Sequence, residues 1–218
     1  MMVRTAKFRL LIVLYAVTGA LVIAVISLGA VGLRFTSYRN GYCNISLSNN
    51  QAEVMYRLGT PTYVYGPSVK MLGGYASHIY SVDPSEDPKN TMPDGKSATD
   101  FDQWSYTGIS SIGPSGRLDV SFQKSNGQAQ RISCLGASAK SCPSLAGISI
   151  GTTEEALRGF LGEPDTQKLE GVAKIVVYKK LGLEFYLTED KVYNIALLRP
   201  TRSKWYAALV RVKSMLGF

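Results

Sequence analysis

The chain has 218 residues, with 24 Lys plus Arg against 16 Asp plus Glu and a formal charge of +8. Residues 1–40 carry five cations and no acid, residues 199–218 carry five more and no acid, and residues 41–198 hold 14 cations and 16 acids. The excess therefore sits at the two ends, so a nucleic-acid-binding domain with a basic face is excluded as the leading reading, and a composition of 45% hydrophobic and 18% charged residues excludes a disordered chain.

In chain order, the first element is the uncharged run Leu10 to Leu33, which at ~1.5 Å per helical residue is long enough to cross a hydrocarbon core of about 30 Å. Three readings are open, a retained span, a cleaved signal peptide and a buried core helix. The length of the run and the lack of a small-residue cleavage motif favour a retained anchor over residues 1–34. Arg4, Lys7 and Arg9 before it outnumber Arg34 and Arg39 behind it. That excess orients the N-terminus to the cytoplasm and the body to the periplasmic or extracellular side of a single-pass inner membrane protein.

The body contains one pattern twice. ISLSNNQAEVMYRLGTP, from Ile45 to Pro61, recurs as ISIGTTEEALRGFLGEP, from Ile148 to Pro164, with Leu58, Gly59 and Pro61 matching Leu161, Gly162 and Pro164. Ser48 with Gln51, and Thr152 with Glu155, have capping-box spacing, and each glycine followed by proline closes a helix. Each copy is expected to be a helix of about three turns. Strands are expected at 104–109, 117–122 and 129–134 after the first helix, and at 174–180, 183–187 and 192–198 after the second. Leu118, Val120 and Phe122, like Leu183, Phe185 and Leu187, alternate with polar residues at the period of half-buried strands. The expected fold class is α+β: a transmembrane helix, two tandem helix-plus-antiparallel-sheet units at 35–142 and 143–199, and a C-terminal amphipathic helix at 200–218.

Gly151, Thr153, Glu154, Leu157, Leu161, Gly162 and Pro164, followed by a strand ending in Tyr and an L-x-F-x-L strand, resemble the SmpA/OmlA (BamE-like) envelope domain. The arrangement in tandem is similar to the beta-lactamase inhibitor protein. The resemblance implies a non-enzymatic envelope protein that binds or helps assemble other envelope proteins, with a membrane span where the assembly subunits carry a lipid anchor. The alternative it implies is a secreted or surface enzyme inhibitor. The matching residues are structural, so none is assigned a binding role.

Between the units' shared elements lies an insertion, 66–103, rich in Gly, Pro, Ser and Asp. Loops of that length are functional or mobile. Its front part, with Tyr75, His78 and Tyr80 close to Tyr63 and Tyr65, is expected to add a strand, and Tyr63, Tyr65, Tyr75, Tyr80 and Trp104 are the candidate protein-binding surface. The bland reading, tyrosines covering an ordinary loop and sheet, stands beside it. Asp83, Glu86, Asp87 and Asp94 lack the spacing of a calcium loop and read as a solvated acidic segment.

Three cysteines follow the span. Cys134 and Cys142 bracket a short loop, and an oxidising compartment favours a disulfide between them over three free thiols. In the tail, Trp205, Leu209, Val212 and Leu216 recur at helical spacing, so Lys204, Trp205 and Arg211 are candidates for contact with a membrane surface, against packing of the same stripe on the body. No nucleophile elbow, phosphate loop, dinucleotide fingerprint or metal-spaced set occurs, so no enzyme, cofactor or metal is expected. A small-molecule ligand or nucleic acid is not expected either; the expected partners are an envelope protein and the membrane.

Overall fold

The computed structural model describes residues 41–71 and 74–199. The expected span at 10–33 and the tail with Lys204, Trp205 and Arg211 lie outside the described residues. Among the described residues no helix is long and apolar enough to cross a membrane.

The body begins with a minimal hairpin, β1 (Gly41–Tyr42) and β2 (Ile45–Ser46), turned by Cys43 and Asn44 at φ 51 and 66. Helix α1 (Gln51–Leu58) follows. Then come β3 (Tyr63–Met71), β4 (Gly74–Ser81), a 3-10 turn at Ala98–Asp100, β5 (Gln103–Thr107), β6 (Arg117–Phe122) and β7 (Ala129–Leu135). Helix α2 (Glu154–Leu161) opens the second half, followed by β8 (Thr166–Glu170), β9 (Ala173–Tyr178), β10 (Leu183–Thr188) and β11 (Lys191–Leu198). This is an α+β body built on one antiparallel sheet of nine strands in the order β4-β3-β5-β6-β7-β11-β10-β9-β8.

The helices start later than the capping-box spacing predicts. Asn50, not Ser48, caps α1: its side chain accepts from the Glu53 N–H, and the Glu53 carboxylate accepts from the Asn50 N–H, both at 2.9 Å. Ser48 instead meets the Ser46 hydroxyl. Thr153, not Thr152, caps α2, accepting from Ala156 N–H, while Thr152 accepts from Ser149 N–H. A later start at a fixed end leaves eight residues in each helix, about two turns rather than three. The closing glycines do what their φ freedom allows, Gly59 at +84 and Gly162 at +81.

The strand registers of the two halves correspond. Val64 pairs with Trp104, Trp104 with Val120 and Val120 with Ile132. Gln167 pairs with Val176, Val176 with Phe185 and Phe185 with Ile195 in the same way. The last strands then meet so that Ile132 faces Leu197 and Cys134 faces Ile195, leaving Ser133 opposite Ala196. That register relates β7 and β11 by a local two-fold through the Ser133–Ala196 pair.

One face of the sheet holds the core. Val64, Trp104, Tyr106, Leu118, Val120, Phe122, Ile132 and Cys134 from the first half, and Leu183, Phe185 and Leu187 from the second, are buried there. Val54 of α1 and Leu157 of α2 are fully buried too. Tyr178 bonds the carbonyl of Gly162 and Lys174 bonds Glu154, which ties α2 to this face. Cys134 and Cys142 form a disulfide that fastens the 136–142 loop to β7 on the same side. Cys43 is buried as a free thiol, its pKa pushed up to about 12 by desolvation.

Candidate functional site

The positions between the core residues point the other way, and they are polar. Ser105 pairs with Asp119, Asp119 with Ser133, Ser133 with Ala196 and Ala196 with Glu184, one continuous row across five strands. Flanking it are Arg117, Ser121 and Arg131 on one half and Tyr186 on the other, with Tyr63 and Tyr65 entering from β3.

Ion pairs organise this second face. Arg117 Nη2 lies 3.3 Å from Asp119 Oδ2. Arg131 is better held: its Nε meets Glu184 Oε1 at 3.2 Å, its Nη1 donates to Ser133 Oγ at 2.7 Å, and its guanidinium carbon sits 5.6 Å from the centre of the Tyr186 ring. Tyr193 meets Tyr186 edge-on at 6.2 Å. Arg131 therefore bridges the two halves, since it lies on β7 and its carboxylate and aromatic partners lie on β10. Desolvation raises the pKa of Tyr65, with the Asp119 carboxylate adding to it, and desolvation raises that of Tyr186. Both phenols stay neutral donors at physiological pH.

Several polar atoms here have no partner within the chain among the described residues: Asp119 Oδ1, Arg117 Nε and Asn194 Oδ1. Buried polar atoms are nearly always bonded to protein or water. Ser105 Oγ, in the same row, is a fourth such atom, and the row itself is buried at Ser105, Asp119, Ser133 and Ala196, with Arg and Tyr side chains beside it.

The residues proposed from the sequence do not form one surface. Tyr63 and Tyr65 lie half-buried on the polar face. Trp104 is a correction: it is fully buried, stacked edge-on against Phe122 at 4.7 Å, and its indole N–H donates to the carbonyls of Ala98 and Phe101. Its strand register puts it on the core face, where it pins the end of the insertion onto β5. Tyr80 faces the core side as the partner of Val64. There it meets Phe101 at 5.5 Å and His78 at 4.4 Å and lines a cavity of about 550 Å³ with Gln51, Lys96 and Asp100. The side chain of Tyr75 lies outside the described residues.

In the rest of the insertion, Asp83 accepts from Ser85 and Asp87 from Lys89 and Asn90, so those carboxylates brace local turns. Arg117, Asp119, Arg131, Glu184, Tyr186 and Asn194 were missed as site residues. Their signal lies in the expected strands, as the polar members of R-L-D-V-S-F, A-Q-R-I-S-C, L-E-F-Y-L and V-Y-N-I-A-L-L.

No family model and no curated protein matches this sequence. Among solved structures, a DUF4309 family protein from Bacillus subtilis aligns over 69% of this chain and 78% of its own length, at 14% identity and a TM-score of 0.39. A similarity of that size carries no argument about function.

Proposed function

We propose that this chain is a membrane-anchored, non-enzymatic cell-envelope protein that binds or helps assemble other envelope proteins through two tandem SmpA/OmlA-like units. The anchor is the 10–33 span, with a cytoplasmic N-terminus and the body on the far side of the membrane. Three features support the reading. The motif residues resemble that family. The matching registers of Val64-Trp104-Val120-Ile132 and Gln167-Val176-Phe185-Ile195 are what a duplicated unit would leave. The Cys134–Cys142 disulfide suits an oxidising compartment.

The observation that carries the binding role is the polar face, with Arg131 clamped between Glu184, Ser133 and Tyr186 at the junction of the two halves. Arg and Tyr are the residues that most often dominate interface energy, because each buries a large surface and still offers directional hydrogen bonds.

The test is affinity capture of the full-length chain from detergent-solubilised membranes after mild crosslinking, with Tyr186→Ala and Arg131→Ala beside the wild type. A protein captured by the wild type and reduced at least about tenfold in both variants is the expected result. A wild-type chain that captures no protein, or a partner retained equally by all three, removes this face as the binding surface. The mass of the mature N-terminus checks the anchor: loss of the first 30 or so residues would favour the secreted inhibitor instead.

A further inference from the structure

The two halves of the sheet end differently. β3 and β8 are equivalent by register, since Val64 stands to Trp104 as Gln167 stands to Val176. The outer edge of β3 is covered by β4, which pairs with it from Tyr63 with Ser81 to Met71 with Gly74. Among the described residues β8 has no such neighbour and is the last strand of the sheet.

The backbone of β8 is presented for pairing. Glu170 and Ala173 flank a two-residue turn through Gly171, whose φ is +61. The closing pair of such a hairpin is a hydrogen-bonded pair, and bonding alternates along the strand. Thr166, Lys168 and Glu170 therefore bond to β9, and the N–H and C=O groups of Gln167 and Leu169 point outward. All five residues of β8 are exposed, Leu169 by 78%, and Val172 in the adjoining turn by 89%. An unpaired edge with exposed apolar side chains is a template for another strand.

We propose that β8 pairs antiparallel with β8 of a second copy of this chain, with Leu169 opposite Leu169, joining two sheets edge to edge. Charge selects the copy and the register. Centring on Lys168 would set two ammonium groups face to face, and centring on Gln167 would leave Glu170 without a strand residue opposite. Centring on Leu169 sets Lys168 opposite Glu170 of the second copy, and Glu170 opposite Lys168, so two ion pairs form by symmetry. Both side chains lie on one face of the strand, where they already meet at 2.9 Å within the chain and are more than 60% exposed. The Leu169 pair is hydrogen-bonded in this register, as the outward direction of its backbone groups requires. The strand that the first half supplies from its own insertion is supplied to the second half by another molecule.

The experiment is sedimentation equilibrium of the full-length chain in a density-matched mild detergent, with near-UV circular dichroism confirming an unchanged fold for each variant. The wild type is expected to dimerise reversibly. Lys168→Glu and Glu170→Lys, each turning two attractive pairs into two repulsive ones, weaken the dimer about tenfold. The double variant K168E/E170K restores attraction in this register and returns the affinity to within about threefold of wild type. Leu169→Pro removes an outward N–H without touching a bond to β9 and abolishes the dimer. A wild type that stays monomeric, a double variant as weak as the single ones, or a dimer indifferent to all four variants overturns the proposal.

Discussion

Tyr106 and Tyr178 occupy equivalent rungs of the sheet, opposite Leu118 and Leu183, yet among the described residues only one of the two hydroxyls is bonded. Tyr178 donates to the carbonyl of Gly162 at 3.0 Å, whereas the buried hydroxyl of Tyr106 has no partner among the described residues. Burial accordingly drives the pKa of Tyr106 far above its ordinary value. Removing a bonded buried hydroxyl costs stability, and removing an unbonded one relieves a desolvation cost. Tyr178→Phe is expected to lose about 1 kcal/mol and Tyr106→Phe to be neutral or stabilising, read as opposite shifts of the urea midpoint at unchanged slope.

The loop closed by the disulfide is packed without clearance against two glycines outside it. A Cβ on Gly113 would lie 1.9 Å from the carbonyl oxygen of Lys140, and one on Gly116 would lie 2.1 Å from that of Ser141. Both contacts are to backbone, so no side-chain rotation relieves them. Gly113→Ala and Gly116→Ala are each expected to cost about 1–3 kcal/mol. Gly127→Ala, where a Cβ meets nothing and only the φ of +64 is strained, is the control and is expected to cost about 1 kcal/mol.

Reducing the disulfide removes a constraint on the unfolded chain rather than a contact. For the short loop between Cys134 and Cys142 the chain-entropy relation gives about 2.5 kcal/mol. Denaturation with and without reductant measures it; equal midpoints would show that the reduced loop is held as firmly by its packing.

Acid sensitivity centres on Glu154. Its carboxylate accepts from Lys174 Nζ and from Arg158, which also bonds Glu163, and these contacts lower its pKa below the ordinary 4.5, the Lys174 bond most. A depressed folded pKa means stability that is present above the unfolded value and lost as pH falls toward the folded one. The wild type should therefore lose stability below about pH 4.5. Glu154→Gln should flatten that part of the profile when urea midpoints are compared between pH 5 and pH 3, while lowering stability at pH 7.

Helix starts offer a direct comparison of pattern with structure. Asn50→Ala is expected to cost about 1 kcal/mol, because it unbinds the Glu53 N–H, whereas Ser48→Ala should fall within about 0.5 kcal/mol of wild type. Thermal unfolding of the two variants reads the difference. The two caps were misread because Ser, Asn and Thr crowd both sites, and several of them have an acceptor at a workable distance from a glutamate or glutamine. Which one caps depends on where the preceding hairpin delivers the chain: Asn50 also bridges to Gln128, and Thr153 to Lys191.

The polar face was open to the same pattern reading that located the core strands, since every buried Leu or Val in R-L-D-V-S-F implies a polar neighbour facing away. What the pattern lacked was the partner of each strand. Arg131 and Glu184 are 53 residues apart, and they meet only because β7 and β11 pair. Trp104 was misplaced for a related reason: an aromatic in a strand belongs to either face until its register is known.

Local chemistry written in the sequence determined the body's composition of elements. Alternating apolar residues marked β6 and β10, the correspondence of the two copies marked four more strands, Gly59 and Gly162 marked the helix ends, and the spacing of Cys134 and Cys142 marked the closed loop. These follow from short-range sterics and from burial of one strand face, both legible in a window of ten residues. The union of two halves into one sheet, the residues facing its polar side and the contrast between covered β3 and open β8 were decided by tertiary structure alone. Backbone hydrogen bonds are the same for every residue, so strand pairing is chosen by the packing of the whole molecule. β8, exposed on both faces as T-Q-K-L-E, carries no periodicity by which the sequence could have announced it.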